Sequence, residues 1–145
     1  MRITLVVLLL LSAVSIAAKG LSPIGRWKTI DDATGEEKSI VEIRIEDGVL
    51  TGRIDSLFIK EGEDPNPICD KCKGENKDKP VLGMTIIWNM REGDEYWQGG
   101  KILDPENGKI YGCKLKVIDS GKRLEMRGFL GVSLLGRTQY WLRVE

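Results

Sequence analysis

The chain has 145 residues, with 22 Lys and Arg against 22 Asp and Glu and no histidine, so its net charge is zero. A balanced chain lacks the basic excess behind counterion-driven nucleic-acid binding, and no nucleic-acid partner is expected. The missing histidine removes the commonest general base near neutral pH and the commonest metal ligand.

Residues 1–17 read as a secretory signal peptide. Met1-Arg2 is a short basic start, Ile3 to Leu11 is apolar except for Thr4, and small residues follow, with Ser15 and Ala17 placed for cleavage after Ala17. Cleavage after Ala18 is the alternative. The apolar run is too short to cross ~30 Å of hydrocarbon at ~1.5 Å per residue. No second apolar span follows, so no membrane span is expected. Nor does a cysteine follow the apolar run, where a lipid anchor would attach. The expected location is the periplasm or the exterior. Residues 18–145 then form one domain, which loses only Arg2 from the basic count and carries a charge near −1.

Beyond the leader, short runs of Val, Ile, Thr and aromatics alternate with Gly, Asp, Asn and Pro, too often interrupted for long helices. Eight strands are predicted, at about 24–30, 39–46, 49–58, 83–90, 95–103, 109–118, 123–130 and 138–144. In the second, Val41, Ile43 and Ile45 face one way and Glu42, Arg44 and Glu46 the other, the period of a half-buried strand. Asp47-Gly48 favours a two-residue type I′ turn. That turn sets Ile45 opposite Leu50, Ile43 opposite Gly52 and Val41 opposite Ile54, so apolar residues and glycine share one face. A second hairpin around Asp119-Ser120-Gly121 aligns Tyr111, Cys113, Leu115 and Val117 with Leu124, Met126 and Gly128. A third turn is Asp104-Pro105-Glu106-Asn107-Gly108. Consecutive hairpins of this kind form an antiparallel meander, and about eight strands close into a small barrel or split into a sandwich.

The ends of the chain favour closure. Gly25, Arg26 and Trp27 open the first strand, and Arg143 lies on the last. This G-x-W with a late basic residue resembles the signature of calycins, the lipocalins and their relatives. There the Trp plugs the closed end and the Arg packs across it, a favourable stack of guanidinium on indole. By that resemblance Gly25, Trp27 and Arg143 are the barrel-closure residues, and the expected fold is an all-β, eight-stranded antiparallel up-and-down barrel.

The blocks "GRW", "SIVEIRIEDGVLTGRI", "CDKCKG", "GMTIIW", "WQGGKILDPENGKIYGCKLKV" and "RGFLGVSLLGRTQYWLR" extend the likeness over Gly25 to Arg143. In that order they resemble a family of small exported bacterial proteins known as domain of unknown function 2147. The resemblance implies an exported calycin-like barrel and no particular reaction.

Cys69 and Cys72 form a C-x-x-C in a long loop at about 59–82. A redox C-x-x-C needs a helix N-terminus to stabilise its thiolate, and here Pro65 and Pro67 precede it and Gly74 follows. Structural zinc takes four Cys or His ligands, whereas three Cys without His leave only a carboxylate such as Asp70, so no metal or cofactor is expected. Export favours disulfides. Three cysteines allow three single bridges. The expectation is a Cys69–Cys72 staple, with Cys113 either a buried small apolar residue or the rival partner of one of them.

No sequence motif sets a nucleophile beside a base, so a non-enzymatic protein is expected. Trp88 and Trp97, on neighbouring predicted strands after the long loop, are candidate ligand-lining residues together with Tyr111. Phe129, Leu130, Val132, Leu134 and Leu135 form an unusually apolar connection that either folds back to cap the barrel's other end or is an exposed patch for a partner or a membrane surface. The functional expectation is a monomeric barrel binding a small apolar or amphipathic molecule. The alternatives are a structural or protein-interaction module of the envelope and a cysteine-based redox or metal site.

Overall fold

The computed structural model describes residues 21–131 and 136–145. The leader expected at 1–17 and the apolar residues Val132, Leu134 and Leu135 lie outside them. Eight antiparallel strands form a closed barrel in chain order: β1 Gly25–Ile30, β2 Glu37–Glu46, β3 Val49–Leu57, β4 Thr85–Glu92, β5 Trp97–Asp104, β6 Lys109–Ile118, β7 Arg123–Phe129 and β8 Gly136–Val144. Each strand pairs with the next, and β1 pairs with β8 through Trp27 opposite Arg143.

The local patterns explain the hairpins. In β2–β3, Ile45 faces Leu50, Ile43 faces Gly52 and Val41 faces Ile54, the register that Asp47-Gly48 dictates. In β6–β7, Cys113 faces Gly128, Leu115 faces Met126 and Val117 faces Leu124. Strand β4 starts at Thr85, two residues beyond the predicted start, because Gly83 and Met84 bond the backbone of Ile54 in a wider connection. The β3–β4 ladder then shifts, with Gly52 opposite Ile87 but Arg53 opposite Thr85. The extra residue lets Ile86 and Ile87 both be buried.

The core runs along the barrel axis and includes Val41, Ile43, Leu50, Ile87, Met90 and Leu115, all withdrawn from water. One end is plugged by Trp27, which is fully buried, with the Arg143 guanidinium 4.1 Å over its ring. Gly25 adjoins this stack with φ 134°, and a Cβ there would lie 2.9 Å from the Arg143 guanidinium. Both facts call for glycine at that position.

Cys69 and Cys72 form the disulfide, and Cys113 is free. Cys113 is buried, its Sγ 3.3 Å from Met90 Sδ, and burial pushes its thiol up to about 12. The nucleophilic thiolate is therefore scarce at neutral pH. Alkylation followed by mass spectrometry is expected to add no label to the native protein and one label after unfolding. Prompt labelling of the native chain would show that the core around Met90 opens readily.

Candidate functional site at the open end of the barrel

At the end opposite Trp27, the β1–β2 turn, the β3–β4 connection and the β5–β6 turn surround a cavity of about 790 Å³. Its wall is apolar where the strands supply it, through Ile54, Ile86, Ile102, Leu103, Met126 and Trp141. Strand parity places Ile54, Ile102, Met126 and Trp141, and the bulge turns Ile86 inward, whereas Leu103 lies on the other face of β5, opposite Ile110.

A few polar groups interrupt this wall, and each has a partner. Thr29 and Ser39 hydroxyls lie 2.8 Å apart, and the Ser39 N–H donates to Thr29 Oγ1 at 3.0 Å. Asn107 donates to the Tyr111 hydroxyl at 3.0 Å. From the floor upward, Trp141 Nε1 donates to Gln139 Oε1 at 3.1 Å, and Gln139 Nε2 donates to Asp32 at 3.1 Å. Arg137 Nε donates to the other oxygen of Asp32 at 2.6 Å. The Arg137 guanidinium holds the Asp32 carboxyl down at about 2, so this chain is ionised at its outer end at neutral pH.

The long loop between β3 and β4 forms one side of the mouth, contributing Phe58, Ile59, Glu63 and Pro67 to the cavity. Its Cys-containing tip is folded on itself: Cys69 N–H donates to Lys79 O at 2.9 Å and Val81 N–H to Pro67 O at 3.0 Å. The disulfide is buried and rests on the β5–β6 turn, with Cys69 Sγ 3.3 Å from the Pro105 carbonyl oxygen. This is packing, since a disulfide sulfur has no hydrogen to donate. At Gly108 (φ 71°) a Cβ would fall 2.0 Å from the Lys71 carbonyl oxygen, so loop and turn meet backbone to backbone. Ion pairs add to the rim: Lys60 with Glu36, and Lys38 with Glu36 at 3.5 Å and Glu106 at 3.3 Å. Such exposed pairs, screened by water and salt, contribute little. The close packing around Gly108 therefore holds the loop more firmly than the rim charges do.

Of the candidate ligand-lining residues, Tyr111 lines the cavity, and Trp88 and Trp97 do not. Trp88 pairs with exposed Lys101, on the outer face of the wall. Trp97 opens β5 at the plugged end, opposite Glu92 and Leu115. The cavity tryptophan is instead Trp141. Parity along β8 gives the missing signal: Arg137, Gln139 and Trp141 share one face, so two polar residues occupy inward positions beside a buried tryptophan. Thr29 and Ser39 were also missed, because small hydroxyl residues fit either face of a strand.

An eight-stranded up-and-down barrel, plugged at one end and hollow at the other, is the calycin architecture to which lipocalins belong. The chain belongs to the family described as "Uncharacterized protein conserved in bacteria (DUF2147)", which matches residues 25–143. Among solved structures it is similar to the Helicobacter pylori protein HP1028, described as belonging to the lipocalin family. The two share 18% identity over 86% of this chain and 84% of that one, with a TM-score of 0.72, a likeness of fold. No curated protein matches the chain. Among the described residues, no helix is long and apolar enough to cross a membrane.

Proposed function

We propose that the protein is an exported, non-enzymatic barrel that binds one small apolar or amphipathic molecule through its open end. The observation that carries this reading is the cavity of about 790 Å³, apolar where the strands form its wall and polar and charged at its mouth. A concave site with an apolar wall and convergent polar groups is suited to a ligand. Export is supported by the leader-like start and by the Cys69–Cys72 disulfide, which suits an oxidising compartment. A binding rather than catalytic role is supported by Thr29 and Ser39, whose hydroxyls bond each other instead of a base. A second reading, an envelope interaction module, draws on the exposed Ile68, Leu82, Ile110 and Leu130.

Gly128 offers a test. It lines the cavity, and a Cβ there meets only ordinary contacts, the nearest at 3.7 Å on Tyr111. Gly128→Phe is expected to fill the cavity while leaving the barrel folded. The wild type should bind the neutral fluorophore N-phenyl-1-naphthylamine at one site per chain, and the variant about tenfold more weakly or worse. Its denaturation midpoint should remain close to that of the wild type. No uptake by the wild type, or equal uptake by both, would count against the reading.

A further inference from the structure

The apolar cavity lies beneath a mouth with more acid than base. Its lining includes the carboxylates of Asp31, Glu37, Glu63, Asp64, Asp104 and Glu106 and the cations of Lys38, Lys60 and Arg137. All three cations are already paired: Lys38 with Glu36 and Glu106, Lys60 with Glu36, and Arg137 with Asp32. Among the described residues, Asp31, Glu63, Asp64 and Asp104 form no ion pair. Two of these four, Asp31 and Asp104, line the cavity where β1 and β5 end. The Arg137 guanidinium is held above its ordinary range first by its bond to Asp32, and then also by the charges of Asp31 and Asp104. Asp31 and Asp104 therefore lie within electrostatic reach of Arg137.

Each of the two is held by its own turn. Asp31 Oδ1 accepts the Ala33 and Thr34 N–H groups at 2.9 Å, and Asp104 Oδ1 accepts the Glu106 N–H at 2.9 Å. The Thr34 side chain also bonds the Asp31 carboxylate. An anionic head group entering here meets an excess of like charge, whereas a cationic one meets carboxylates whose positions are already set.

Resting on the ligand-binding reading above, we infer that the cavity selects a cationic amphiphile. Its aliphatic tail packs on Ile54, Ile102, Met126 and Trp141, and its ammonium-type head sits between Asp31 and Asp104 at the mouth.

Isothermal titration with three probes of one chain length tests this: dodecyltrimethylammonium, dodecanoate and dodecyl maltoside, each below its micelle-forming concentration. The expected result is one site per chain, with the ammonium probe about tenfold tighter than the carboxylate. In the double variant Asp31→Asn/Asp104→Asn that ratio should fall to about threefold or less. Asparagine keeps the Oδ1 acceptor, so both turns keep their backbone bonds. Equal affinities, a preference for dodecanoate, or an unchanged ratio in the double variant would overturn the inference and leave the cavity reading standing. Failure of all three probes to saturate the wild type would overturn both.

Discussion

Gly108→Ala is expected to cost about 3–4 kcal/mol of stability, far more than one methyl group in a surface turn ordinarily does. Two effects combine. Gly108 has φ 71°, where a Cβ alone costs ~1–2 kcal/mol. The new methyl group also overlaps backbone, lying 2.0 Å from the Lys71 carbonyl oxygen, 2.3 Å from the Lys71 carbonyl carbon and 2.8 Å from the Cys72 nitrogen. No rotamer change relieves a clash with backbone, so the disulfide tip must lift from the turn and expose Cys69 and Cys72, both now buried. Gly48→Ala is the control, since Gly48 has φ 76° but nothing within 4 Å of the added atom. It should cost only the local ~1–2 kcal/mol. Urea denaturation of the two variants decides the matter, and equal losses would mean that the loop does not depend on this contact. Limited proteolysis should also cut the loop between Lys71 and Lys79 sooner in Gly108→Ala.

Trp27→Ala should be comparably severe, about 4 kcal/mol, because it empties the plug. Trp27 is fully buried, and its Nε1 donates to the Pro23 carbonyl at 2.8 Å. Its ring lies under Arg143, which donates to the carbonyls of Gly121 at 2.6 Å and of Ile24 and Ser22 at 3.0 Å each. The arginine thus ties the β6–β7 turn to the segment entering β1, across the stacked indole. Removing the indole deletes its burial, the cation–π contact and the bond to Pro23 at once. Trp27→Phe keeps an aromatic plane and should lose about half as much. Thermal or urea denaturation of the pair is the measurement. Equal losses would show that the stack contributes little beyond the indole N–H bond.

Much of the architecture is legible from short-range pattern. The alternation of Val41, Ile43 and Ile45, joined to Asp47-Gly48, is enough to place every partner in the β2–β3 hairpin from Glu46–Val49 to Val41–Ile54. The same logic works for Cys113, Leu115 and Val117 against β7. It fails in β4, where two successive isoleucines, Ile86 and Ile87, are both buried. Alternation counts residues and does not register a bulge, so it does not show that Trp88 faces outward beside Lys101. Nor does it say which end of a strand lies at the mouth, and for that reason Trp97 looked like a cavity residue although it lies at the plugged end.

The eight strands and the β2–β3 and β6–β7 registers were determined by the sequence alone, and the pairing of Trp27 with Arg143 was implied by the resemblance to calycins. The strands and registers depend on a two-residue period and on turn dipeptides. Only the tertiary structure decided that Trp141 rather than Trp88 faces the cavity, that the Cys69–Cys72 tip rests on Gly108, and that Asp31, Asp104 and Arg137 line the same cavity. Those relations arise when β8 closes on β1 and when a loop settles on a turn some 36 residues away. Neither local periodicity nor turn propensity carries information over that separation.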